Sequence, residues 1–339
     1  TEGFLIIINA KYNRSYHRLL LAIILGAFVS AGFISKEGIE TSIFCIPALS
    51  DQPPQGNFEK LVIPLKRVNN LFLIEARIDT VKGNFIFDTG APKLVLNKTY
   101  FRSGKLLAGT SSYGISGGGE QVLHQNIDSL IIDDLFFTGV DADVVNLGHI
   151  ENAKGVKILG LLGANLFTGM EMEIDIEHGT LTVYKINMEG NRLYADDTTS
   201  AVADINMEIE VDNNIIFLEA SVAEKKLRFC LDTGAEINVL SNTVNNKVLN
   251  HFSLTNRTSL GGSGSQSVNV LNGKLDMLII ETDTLREMPF VLTGLSHLQM
   301  VYNTNIDGIL GYQFLAKGRV VINVEKRNLL MYFYKEENE

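Results

Sequence analysis

The chain has 339 residues, 45 % of them hydrophobic, so it can bury a substantial core and has room for two ordinary domains beyond an N-terminal segment. A net charge of −10, with no Lys/Arg cluster against it, argues against a nucleic-acid partner. Two cysteines, Cys45 and Cys230, are too few to staple the fold, which must rest on packing.

At the N-terminus, Lys11, Arg14 and Arg18 precede an apolar run from Leu19 to Val29, and Val29-Ser30-Ala31 sets small residues before Gly32. Positive, then apolar, then small is the order of a bacterial-style signal peptide, predicted over residues 1–31. The run is short for a membrane span, which needs about 20 residues. Export to the periplasm or the medium is therefore expected, with retention by an uncleaved N-terminal segment as the alternative. Residues 32–57, with Pro53-Pro54 among Gln, Asp and Ser, read as a tether.

From residue 58 onward the pattern is short and β-like. Strands are predicted at Leu61 to Leu65, Phe72 to Ile78, Phe85 to Phe87, Ser129 to Ile132 and Leu181 to Tyr184 in a first domain, 58–186. A linker follows at 187–200, marked by Gly190 and Asp196-Asp197-Thr198-Thr199-Ser200. A second domain, 201–335, has predicted strands at Ile205 to Val211, Ile215 to Val222, Leu275 to Ile280 and Leu329 to Tyr334, and 336–339 is a polar tail. Long amphipathic helices are missing. The expected class is all-β, with two barrel lobes, each with one short helix after a Gly-apolar-Leu-Gly segment.

The two domains are copies. Phe85-Ile86-Phe87-Asp88-Thr89-Gly90-Ala91 recurs as Phe229-Cys230-Leu231-Asp232-Thr233-Gly234-Ala235, an offset of 144 residues (88 to 232). At that offset Leu73-Ile74-Glu75-Ala76 overlies Phe217-Leu218-Glu219-Ala220. Gly160-Leu161-Leu162-Gly163 then matches Gly308-Ile309-Leu310-Gly311 at an offset of 148 (160 to 308), so the intervening loops differ by little. Solenoid repeats recur many times at periods of about 20–50 residues, so a single long repeat is a duplicated domain.

One Asp-Thr-Gly after a strand is ordinarily a turn in which the Asp bonds the backbone two residues on. Two in matching settings instead suggest a carboxylate pair, one protonated and one acting as base. Each half carries a second element in order, a glycine-rich stretch: Tyr113-Gly114-Ile115-Ser116-Gly117-Gly118 and Gly261-Gly262-Ser263-Gly264. With the Gly-apolar-Leu-Gly segment, these make each half resemble a retropepsin-like aspartic protease subunit over nearly all of 58–335.

The resemblance implies two acid-protease lobes in one chain, related by a pseudo-twofold axis, that build one active site together as a monomer. It implies that Asp88 and Asp232 are the catalytic pair and that the glycine-rich stretches are flaps over an extended peptide. It calls for no metal and no organic cofactor. Thr89 and Thr233 are expected to turn inward and tie the loops together, and Gly90 and Gly234 to let backbone N–H groups approach the carboxylates. Ala91 and Ala235 depart from pepsin-like enzymes, which usually carry a hydroxyl there. Without that hydrogen bond the pair should titrate higher, favouring activity at about pH 4 to 6.5.

Several features read more simply. Gly114-Ile115-Ser116-Gly117-Gly118 fits a hydrolase nucleophile elbow, but lacks the strand-turn-helix setting and has no counterpart in the second half. The six His residues show no metal-ligand spacing. Cys230 reads as a small buried hydrophobe, and the repeated Glu75 and Glu219 as structural. Two readings from other classes stay open: a catalytically silent peptide-binding module of the same fold, and an actin-like or sugar-kinase-like ATPase, whose phosphate loops are also D-x-G turns.

Overall fold

The computed structural model describes residues 54–113, 119–194, 201–261 and 267–335, apart from 297 and 300–303, together with residues 21, 22, 24 and 25. The tips of the glycine-rich stretches, most of the expected signal segment and tether, the second part of the expected linker and the tail lie outside the described residues. Among the described residues no helix is long and apolar enough to cross a membrane.

In chain order, β1 (Leu21–Ala22) and β2 (Ile24–Leu25) pair only with each other. The first half contains β3 (Lys60–Pro64), β4 (Lys66–Val68), β5 (Leu71–Ile78), β6 (Val81–Asp88), β7 (Leu94–Asn97), β8 (Lys105–Tyr113), β9 (Gly119–Ile132) and β10 (Leu135–Val145). It continues with α1 (Gly148–Lys154), β11 (Gly160–Gly163), a 3₁₀ turn at Ala164–Phe167, β12 (Met170–Asp175) and β13 (Thr180–Lys185). The second half contains β14 (Ile205–Asp212), β15 (Ile215–Val222), β16 (Lys225–Leu231), β17 (Val239–Ser241), α2 (Asn246–Leu249), β18 (Phe252–Gly261) and β19 (Ser267–Ile280). It ends with β20 (Asp283–Thr293), β21 (Gly308–Leu310), α3 (Tyr312–Leu315), β22 (Gly318–Asn323) and β23 (Asn328–Phe333).

These strands form two closed six-strand barrels. In the first the order is β5-β6-β11-β7-β10-β9, and β9 returns to pair with β5; in the second it is β15-β16-β21-β17-β20-β19, closed by β19 on β15. Closure removes the unpaired edges that an open sheet would expose. The same unusual pairing recurs in both: β11 lies parallel to β6 with Gly160 opposite Phe85, and β21 lies parallel to β16 with Gly308 opposite Phe229.

The leading glycine of each Gly-apolar-Leu-Gly segment is explained by this crowding. A Cβ at Gly160 would meet the Val95 carbonyl oxygen at 2.1 Å and the Phe85 ring at 3.0 Å. At Gly308 it would meet the Val239 carbonyl oxygen at 2.5 Å and the Phe229 ring at 2.4 Å. Both Phe rings are fully buried, each worth roughly 2–3 kcal/mol of transfer free energy.

Between the barrels runs a shared sheet, β14-β23-β22-β12-β13-β3, with three strands from each half. At its centre β12 and β22 pair antiparallel, Met172 opposite Ile322. Polar side chains seal this seam: Arg192 reaches Glu171 and Glu173, Arg319 reaches Glu173 at 2.9 Å, and Asn323 donates to Glu171 at 2.7 Å. The halves are thus joined by main-chain hydrogen bonds as well as by the linker.

Helix content differs from expectation. Instead of one short helix in each half, the described residues hold α1 and the 3₁₀ turn in the first half, and α2, α3 and helical residues at 296, 298 and 299 in the second. The 3₁₀ turn and α3 follow the Gly-apolar-Leu-Gly segments, as expected. The other two have too little apolar periodicity to be read: α1 buries only Ile150 and α2 only Val248. Local signals stop and start them, Gly155 in a left-handed conformation ending α1 and the Asn245 side chain capping α2. The strands β9 and β19 are also longer than predicted, because their outer ends pair with β8 and β18 as two long hairpins.

Candidate active site

Asp88 ends β6 and Asp232 directly follows β16, so the matched strands deliver the carboxylates to matched turns. Each turn closes on itself: the Ala91 N–H donates to the Asp88 carbonyl at 3.1 Å and the Ala235 N–H to the Asp232 carbonyl at 3.2 Å. In the side chains, Oδ1 of Asp88 accepts the Gly90 N–H at 2.9 Å and Oδ1 of Asp232 accepts the Gly234 N–H at 2.8 Å. That is the local Asx bond any single Asp-Thr-Gly turn makes.

The fold adds proximity between the two turns. A Cβ at Gly90 would lie 2.6 Å from the carboxyl carbon of Asp232, and one at Gly234 would lie 2.6 Å from that of Asp88. Only glycine lets each loop back onto the other's carboxyl. The two carboxyls lie within hydrogen-bonding reach of one another, and both are completely buried. Oδ2 of each is buried without a hydrogen-bond partner beyond the pair itself.

Thr89 and Thr233, also fully buried, lock this arrangement. The Thr89 hydroxyl donates to the Leu231 carbonyl at 2.8 Å and accepts the Thr233 N–H at 3.0 Å. The Thr233 hydroxyl donates to the Phe87 carbonyl at 2.8 Å and accepts the Thr89 N–H at 3.0 Å. A second reciprocal pair lies outside: Asn70 donates to the Glu236 carbonyl at 3.1 Å and Asn214 to the Pro92 carbonyl at 3.2 Å. Sequence reading missed these two asparagines, although they stand 144 residues apart (70 to 214), the offset already in hand. A cross-half ion pair, Lys154 with Glu236, has no such signature because α1 was not foreseen.

Electrostatics follow from burial and pairing. Burial raises Asp88 well above the usual carboxylate range; the Asp232 charge and the hydrogen bond between them add to this, and the Gly90 and Ala91 N–H groups only partly oppose it. Burial also raises Asp232, while hydrogen bonds from Asp88 and from the Gly234, Ala235 and Gly90 N–H groups favour its ionised form. Burial and mutual repulsion oppose two charges here, so the pair favours a single shared proton. Burial raises the Cys230 thiol as well, and the neighbouring carboxylates raise it further, so it stays a neutral core group.

Among the expected site residues, the structure brings Asp88, Thr89, Gly90 and Ala91 together with Asp232, Thr233, Gly234 and Ala235. Tyr113 and Gly261 end β8 and β18 at the outer ends of the two hairpins. Gly114, Ile115, Ser116, Gly117 and Gly118, and likewise Gly262, Ser263 and Gly264, lie outside the described residues. Among the described residues no three His, Cys, Asp or Glu side chains cluster as metal ligands. No protein-family model matches the chain, and no curated protein matches it.

Proposed function

We propose that the chain is an exported aspartic endopeptidase of retropepsin-like fold, in which two halves related by a pseudo-twofold axis build one active site within one chain. The observation that carries the reading is the pair of buried carboxyls, each backed by the other half's glycine. No cofactor enters the proposed reaction, and the substrate is an extended peptide.

The ionised member of the Asp88–Asp232 pair is the general base that takes a proton from a water as its oxygen attacks the scissile carbonyl. The protonated member donates its proton to the carbonyl oxygen. When the tetrahedral intermediate collapses, the C–N bond breaks, the proton held by the base passes to the leaving amine, and one hydroxyl of the intermediate returns its proton to the other carboxylate, which restores the pair. The outer hairpins are the arms that would carry the flaps over the peptide and exclude water.

Digestion of a peptide library, with and without a statine-type inhibitor that mimics the tetrahedral intermediate, tests the reading. Statine-sensitive cleavage is expected. Binding of the statine peptide without any cleavage would favour the silent peptide-binding module instead.

A further inference from the structure

The mechanism leaves one fully buried carboxylate unused. Asp143 on β10 has no solvent exposure, yet its Oδ1 lies 2.7 Å from the Lys93 ammonium and 2.5 Å from Nδ1 of His124. Lys93 belongs to the loop that starts at Asp88, five residues on, and its side chain is 28 % exposed. His124 lies on β9, the strand that forms the inner arm of the first hairpin. The cluster therefore ties the catalytic loop to the flap arm, and of its three side chains only Lys93 and His124 reach the surface.

The second half has nothing like it. The matching positions, fixed by the recurring strand register, are Ile237 for Lys93, Asn272 for His124 and Val291 for Asp143. Where a buried Val suffices in one copy, a buried carboxylate in the other needs a reason beyond packing, because isolated buried charge is costly. Asp143 anchors an ammonium five residues beyond Asp88 on a side chain that stays partly exposed. His124 keeps Nε2 without a hydrogen-bond partner among the described residues. With Ile237 at the matching place, a partly exposed ammonium this near the paired carboxyls stands in the first half and has no counterpart in the second.

Resting on the protease reading, we propose that Lys93, held by Asp143 and His124, is a specificity-determining residue that selects an acidic side chain on one side of the scissile bond. The apolar counterpart in the second half takes an uncharged residue, so the peptide is bound in one direction.

Calorimetric titration with statine peptides carrying Glu, Gln or Lys at each flanking position tests this. At one position Glu should bind about tenfold tighter than Gln, and Lys weaker than either. Lys93→Met should remove that preference while leaving the Gln peptide's affinity within about threefold. Should loss of the ammonium unfold the site, the triple variant Lys93→Ile, His124→Asn, Asp143→Val, which copies the second half, should fold and show no preference. Peptides that bind equally well with Glu, Gln and Lys, or a Glu preference surviving in Lys93→Met, overturn the subsite and leave the protease reading standing. Peptides that do not bind at all overturn both.

Discussion

Thr89 and Thr233 each donate a hydroxyl proton into the other half's strand and each accept the other's backbone N–H, with all four contacts between 2.8 and 3.0 Å and all of them buried. The bonds satisfy main-chain groups at the ends of β6 and β16, where the ladders stop and water is excluded. The two threonine hydroxyls thus fix the main chain on either side of the paired carboxyls.

Removing one hydroxyl by Thr89→Ala leaves the Leu231 carbonyl and the Thr233 N–H buried without partners, which should cost about 2–5 kcal/mol. Thr89→Ser keeps both bonds and should cost less than about 1 kcal/mol. Urea melts of the two variants check this, and equal losses would show that the methyl and not the hydroxyl matters.

Gly90→Ala and Gly234→Ala each place a carbon 2.6 Å from the opposite carboxyl carbon. Either should separate the pair and lower kcat/KM by about 10²-fold or more, while the circular-dichroism spectrum stays that of the wild type. Activity within a few-fold of wild type in either variant would mean that the carboxyls do not work as a pair.

Burial and pairing raise both carboxyls, which sets two pH dependences. A group whose native pKa is raised keeps its proton after the unfolded chain has lost it, so stability falls as pH rises above about 4, the unfolded value. Asp88→Asn should therefore raise the melting temperature at pH 7 and change it little at pH 3. For activity, burial reinforces the missing hydroxyls at Ala91 and Ala235, so the acid limb of kcat/KM should lie toward neutral pH. A profile that peaks near pH 2 would contradict both arguments.

Export predicts a mature N-terminus near Gly32. Edman sequencing of protein recovered from the native host checks it, and a cytoplasmic product retaining Lys11 would remove the signal-peptide reading.

Much of the fold was legible because the duplication offers each element twice. Ile215 to Val222 matches β15 end to end as a nearly continuous apolar run, and Ile205 to Val211 misses β14 by one residue because its buried and exposed positions alternate. The two carboxylates were legible for the same reason, and the inward threonines with them. Closing of each barrel by β9 on β5 and β19 on β15 was not, because it depends on strands 50 or more residues apart that carry no local mark. The Lys93, His124 and Asp143 cluster was hidden by the method that found the rest: comparing the halves reveals what they share and passes over what one half has alone.

The most direct measurement is peptide cleavage by Asp88→Asn and Asp232→Asn, singly and mixed. Because one proton and one charge are shared across the two halves of a single chain, each variant should fall to background, the mixture should stay there, and wild-type specific activity should not drop on dilution. Full activity in either single variant would contradict the paired-carboxyl account, and recovery in the mixture would show that halves from different chains build the site.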